Sequence, residues 1–185
     1  SGAYSVMDDG RLEHLAALVS FETRNPPRAI DTGGIFDYLR GQLPGFRIEV
    51  ADHGDGAVSM LAVRGSPRRL FNVHLDTVPD SPHWSADPFS LRVGEGRATG
   101  LGACDIKGAA AGLVAAAQGT QGDAAFLFTS DEEANDARCI AAFLARALPF
   151  DEVIVAEPTG CQAVLAHRGI SAVRMRFRGE AGHAS

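Results

Sequence analysis

Cysteine is scarce in this chain. There are three in 185 residues, Cys104, Cys139 and Cys161, and no two form a CxxC pair. An odd, sparse set does not make a disulfide framework, so reduced thiols and a cytoplasmic location are expected. Basic clusters are missing too. Lys and Arg total 17 against 23 Asp and Glu, a formal net charge of -6, with no Lys/Arg block. A nucleic-acid partner would need a basic face, so none is expected. No run of about 18 apolar residues occurs, which argues against a membrane-spanning helix. A charged stretch followed by an apolar one is absent from the N-terminal residues, so no secretory signal is expected. There is no internal repeat and no low-complexity tract.

What is present is an ordinary globular composition, 45% hydrophobic and 22% charged. That suffices for a real core and excludes disorder. Leu12, Leu15, Ala16, Leu18 and Val19 recur at helical spacing and predict a helix near 8–21, stopped by Asn25-Pro26-Pro27. Ile35, Phe36, Leu39 and Leu43 predict a second, closed by Pro44-Gly45. Residues 46–51 and 57–63 read as two strands around a Gly-rich turn. Residues 70–75, 124–129 and 152–156 are short apolar runs, the pattern of strands buried on both faces. Between them, 106–117 and 137–148 read as helices, and 76–99 as a long functional loop with a short hairpin near 91–98. Strands alternating with helices predict an α/β fold, a mostly parallel sheet with helices on both faces. Residues 162–167 and 171–178 read as two further strands. The second alternates Val173, Met175 and Phe177 with Arg174, Arg176 and Arg178, so it is expected to be half exposed. A domain of 1–168 followed by a second one beginning at 169–185 is expected.

Each strand read as buried leads into polar residues that a metal could use: His74-Leu75-Asp76, Asp131-Glu132-Glu133, and Glu157-Pro158. In an open parallel sheet, sites lie beyond the carboxyl ends of the strands. Acidic groups delivered to one edge repel each other unless a cation joins them. Asp105 is a fourth contribution, in the loop Gly100-Leu101-Gly102-Ala103-Cys104-Asp105. That loop does not fit phosphate, because Asp105 stands where G-x-G-x-x-G requires glycine, and no Walker-type motif occurs. Taken singly, a His-x-Asp pair, a Glu-Glu pair before a helix and a Glu-Pro turn are each common on protein surfaces. Four such signals at one edge in order favour a metal site. His14, His53, His83 and His167 read as packing or surface residues, and Cys104, a lone thiol, is not expected to be a ligand.

The ordered series His74-Leu75-Asp76-Thr77-Val78-Pro79, Trp84…Asp87-Pro88-Phe89, Gly100-x-Gly-x-x-Asp105-x-Lys107-Gly108, Asp131-Glu132-Glu133, Glu157-Pro158-Thr159 and Gly179-x-Ala-Gly-His183-Ala-Ser185 resembles the co-catalytic zinc aminoacylase/carboxypeptidase family. Within it the resemblance is closest to the acetylornithine and acetylcitrulline deacetylases of arginine biosynthesis. The resemblance implies the N-terminal half of a zinc aminopeptidase-like catalytic domain and the start of an α+β lid. It implies two Zn²⁺ per site, replaceable by Co²⁺. His74 and Glu157 would hold one, Glu133 the other, and Asp105 would bridge both. Asp76 would sit behind His74 and accept its other ring N–H, and Glu132 would be the general base in hydrolysis of a small N-acyl amino acid to acetate and free amine. It also implies a cis peptide at Asp105-Ile106, a homodimer through the lid, and His183 reaching the partner's active site to donate to the oxyanion. A further His ligand is expected beyond Ser185. Leu101 departs from the pattern, standing where the family usually has Arg. A dipeptidase or carboxypeptidase of the same family is the second reading, and a zinc-binding fragment without activity the third.

Overall fold

The computed structural model describes residues 10–27 and 29–166, with 168, 169, 173, 175, 176, 178 and 179. Helix α1 (Arg11–Ser20) buries Leu15, Leu18 and Val19 of the spaced residues, with His14 beside them, whereas Leu12 is exposed. Helix α2 (Ile35–Gln42) buries Ile35, Phe36 and Leu39. Helix α3 (Gly108–Gln118) buries four alanines and Val114, and such small side chains let it lie close against α1 and the sheet. Helix α4 is Arg138–Leu144, shorter than the expected 137–148. Its end tightens into turns (Arg146 N–H to the Phe143 carbonyl, Ala147 N–H to the Leu144 carbonyl) ahead of Pro149. A proline disfavours helix in the residue before it.

The central sheet has the order β1-β2-β6-β3-β7, built from β1 (Arg47–Asp52), β2 (Val58–Arg64), β3 (Arg69–His74), β6 (Ala124–Thr129) and β7 (Glu152–Val155). The three strands expected to be parallel are so: β3 lies between β6 and β7 and runs parallel to each. The β1–β2 hairpin joins antiparallel to β6. A separate ribbon, β4 (Arg92–Gly94) and β5 (Arg97–Thr99), is the hairpin expected in the long loop. Glu95 and Gly96 both have positive φ, 51° and 73°, as a two-residue primed turn requires.

Strand alternation sorts the core into two sides. Met60, Ala62, Val73, Phe126 and Phe128 face α1, α2 and α3. Leu61, Leu70, Ala125 and Leu127 face Ile140 and Phe143 of α4, with Leu148 and Phe150. Helices therefore cover both faces, and the fold is α/β as the pattern predicts. No helix among the described residues is long and apolar enough to cross a membrane.

Two expectations about the last part of the chain need correcting. The apolar run 152–156 predicts a strand buried on both faces, but Val153, Ile154 and Val155 of β7 are 52%, 44% and 55% exposed. Among the described residues β7 lies at the edge of the sheet and pairs with β3 alone. Residues 162–166 form no strand. Val164 and Leu165 are exposed there, with no strand pairing to satisfy their backbone. His167 and much of the expected strand 171–178 lie outside the described residues.

Candidate metal centre

The sheet register assembles the site. His74, the last residue of β3, pairs with Thr129, the last of β6. Asn72 pairs with Val155, so Glu157 lies as far beyond that pair as His74 does. The parallel strands thus deliver His74-Leu75-Asp76, Asp131-Glu132-Glu133 and Glu157 to one edge. Asp105 arrives from a distorted turn over Ala103–Lys107 that opens α3, and its peptide bond to Ile106 is cis, as expected.

These residues converge. His74 Nε2 is 3.0 Å from Asp105 Oδ1 and 3.8 Å from Glu157 Oε1. One ligand atom each of His74, Asp105 and Glu133 lie within 4.8 Å of one another. His74 is buried at 3% exposure, Glu133 is half-buried, and Asp105, Glu132 and Glu157 are open to solvent. The site is therefore anchored at its base and accessible at its rim.

Asp76 sits behind His74, but with a more detailed geometry than a simple carboxylate–imidazole pair. His74 Nδ1–H donates to the Asp76 main-chain carbonyl at 2.9 Å, while Asp76 Oδ1 lies 3.5 Å away. The other oxygen, Oδ2, accepts from the Glu133 main-chain N–H at 2.8 Å and from Asn25 Nδ2 at 3.2 Å. This outer bonding fixes the imidazole so that Nε2 faces Asp105.

The charges at this edge act on one another. Burial would lower the His74 pKa, but Asp76 and Glu157 outweigh it and raise the imidazole to about 9. The Glu133 carboxyl is pushed up by burial and by Glu132, Asp105 and Asp76, against the pull of His74. Glu157 is pushed up likewise by burial, Asp105, Glu132 and Asp76. A cation among them would relieve this repulsion. An imidazole with carboxylates is also the nitrogen–oxygen donor set of catalytic zinc. The residues present fit the metal.

The acidic cluster of the sequence divides by role. Asp131 is buried and accepts the Cys139 main-chain N–H at 2.9 Å, which docks the start of α4. Asp136 pairs with Arg138 at 3.0 Å. Glu132 and Glu133 are left at the edge. Leu101, the departure noted in the sequence, is buried. His14 and His53 are packing residues bonded to Tyr38 and Gln118, and to Ser59. His183 lies outside the described residues.

Sequence reasoning gave no site role to two buried residues. Lys107 is fully buried, and its ammonium donates to the Phe21 carbonyl at 3.1 Å; burial lowers it to about 8. Asn25 reads as part of a helix-stopping turn, yet it bonds Asp76. Nothing in Asn-Pro-Pro distinguishes a buried asparagine from an exposed one.

The chain is 76% identical to N-acetyl-L-citrulline deacetylase of Xanthomonas campestris pv. campestris over 94% of its length, and covers 48% of that protein. It is 34% identical to acetylornithine deacetylase of Proteus mirabilis over 76% of its length, covering 39% of that protein. The chain thus spans at most about half the length of these relatives. The structure of human carnosine dipeptidase 1 superposes with a TM-score of 0.66 at 19% identity, over 80% of this chain and 38% of that one, a likeness of fold. Residues 70–176, more than half of the chain and all the strands that carry the site, match peptidase family M20/M25/M40, and the protein belongs to that family.

Proposed function

We propose that the full-length protein hydrolyses the amide bond of an N-acetyl amino acid, with N-acetyl-L-citrulline the first substrate to try and N-acetyl-L-ornithine the second. The observation that carries this reading is the convergence of His74, Asp105 and Glu133 at the strand edge, with Glu132 next to Glu133 in the chain. Glu157 and His74 would hold one zinc, Glu133 would hold the second, and Asp105 would bridge. Bound zinc acidifies water, taking its pKa from about 15.7 towards about 7, and stabilises negative charge growing on the amide oxygen. Glu132, exposed at the rim, takes the proton from the attacking water and returns it to the departing amine nitrogen. Asp76 keeps His74 in the tautomer that presents Nε2 to the site.

Residues from 169 onward open a second, lid domain in this reading. Two lids pair to make a homodimer, and His183 donates a hydrogen bond to the oxyanion in the partner's site. The scarcity of cysteine agrees with a cytoplasmic enzyme. The experiment is acetate release by full-length protein from a panel of N-acetyl amino acids, before and after exhaustive chelation and after addition of Zn²⁺ or Co²⁺. Activity should vanish and return. Unchanged turnover after complete metal removal refutes the reading. Light scattering on the same protein tests the dimer.

A further inference from the structure

Asn25 lies outside every strand that carries the site, yet it is built into it. The segment 23–25 runs beside 75–77: the Thr77 N–H donates to the Thr23 carbonyl at 2.9 Å, and the Asn25 N–H to the Thr77 carbonyl at 2.8 Å. Thr23 Oγ1 donates to the Leu75 carbonyl at 2.8 Å. Asn25 is 1% exposed. Its two amide hydrogens go to different loops, one to Asp76 Oδ2 at 3.2 Å and one to the Ser130 main-chain carbonyl at 3.0 Å. Both partners are acceptors, so the amide can sit only one way round; the flipped form would set oxygen against two oxygens. Its Oδ1 has no hydrogen-bond partner among the described residues, so the donors alone hold the side chain.

The residue it grips serves two candidate ligands, through its main-chain carbonyl for His74 and through its carboxylate for the Glu133 N–H. Asp76 follows His74 by two residues and accepts the main-chain N–H of Glu133. Ser130 precedes the Asp131-Glu132-Glu133 run. Asn25 therefore ties the loop after β3 to the loop after β6 at the point where their ligands must keep a fixed separation. We propose that Asn25 is a positioning residue of the metal centre, which locks the Asp76 carboxylate so that His74 and Glu133 are presented together. This rests on the reading above that those residues hold zinc.

Asn25→Asp tests it in the full-length protein. The replacement keeps the shape but puts carboxylate oxygens against Asp76 and the Ser130 carbonyl. Zinc affinity should fall about 10–100-fold, the usual effect of losing a residue that orients metal ligands. The visible absorption of the Co²⁺-loaded protein should shift, and kcat should fall with KM little changed. Asn25→Ser, which keeps one donor, should recover part of the zinc affinity and carries the comparison if Asn25→Asp does not fold. Zinc affinity within about threefold of the parent, with an unshifted cobalt spectrum, would overturn the proposal. So would a drop in Tm equal in the metal-free and metal-loaded forms, because that describes a purely structural residue. A parent protein that takes up no zinc would instead overturn the metal reading itself, and this inference with it.

Discussion

The main-chain N–H of Glu133 donates to Asp76 Oδ2 at 2.8 Å, so two loops 57 residues apart share one carboxylate. Asp76→Ala should therefore disturb both halves of the centre. Retained zinc should drop, with affinity about 10–100-fold weaker. The Glu133 N–H and the Asn25 amide would lose their acceptor in a buried place, at about 1–3 kcal/mol for each unpaired donor. Metal analysis after dialysis, with thermal melts of the metal-free protein, checks both effects. A variant that keeps a full zinc complement would show that Asp76 does not orient the ligands.

Glu132 and Glu133 are adjacent but differently placed. Glu133 is half-buried and its carboxyl lies near His74 and Asp105, whereas Glu132 is exposed. Glu132→Ala should keep its zinc and lose about 10²–10⁴ in kcat, the contribution of a general base. Glu133→Ala should lose metal. Equal metal contents and equal residual rates in the two variants would mean that this division of labour is wrong.

The edge of the sheet is legible in the sequence because each apolar run leads into a candidate ligand. A strand buried on both faces has few polar positions, so His74 at the end of β3 and the acids after Thr129 stand out. Periodicity overstates α4, since it continues to Leu148 while Pro149 ends the helix earlier. Asn25 and Lys107 are hidden for another reason. Their burial depends on which distant loops close over them, Asp76 and Ser130 for one and the Phe21 carbonyl for the other.

The charge on His74 links metal uptake to protons. In the metal-free protein its pKa stands at about 9, above the ordinary 6.5. The stabilisation from the cationic form is thus fully present below about 6.5 and is lost as pH rises through about 9. A histidine ligand must be neutral, so zinc bound to His74 at pH 7 would displace this proton. Zinc uptake at pH 7 should release about one proton from His74, and affinity should climb between pH 7 and 9. Calorimetry in two buffers of different ionisation enthalpy measures the release. Zinc uptake with no proton release at pH 7 would show that His74 is already neutral there.

Gly102 offers a way to move Asp105 without touching a ligand atom. It holds φ of 71°, and a Cβ there would meet Thr77 Cγ2 at 2.4 Å and the Asp105 carbonyl oxygen at 3.4 Å. Its own carbonyl accepts the Lys107 N–H at 2.8 Å, which closes the turn that presents Asp105. Thr77 is buried at 1% and follows Asp76, so relief of the clash must shift either the Asp105 turn or the support behind His74. The left-handed backbone alone costs about 1–2 kcal/mol for a residue with a side chain. Gly102→Ala should lower stability by at least that much and reduce zinc content too. Gly112, inside α3 with nothing within 4 Å of an added methyl, is the control. Gly112→Ala should stabilise the protein by about 0.5–1 kcal/mol and leave zinc unchanged, because a helix interior favours alanine over glycine. Thermal melts and metal analysis of the two variants in the full-length protein separate the cases. A Gly102→Ala protein with parental stability and parental zinc would mean that the turn before Asp105 has room the geometry denies.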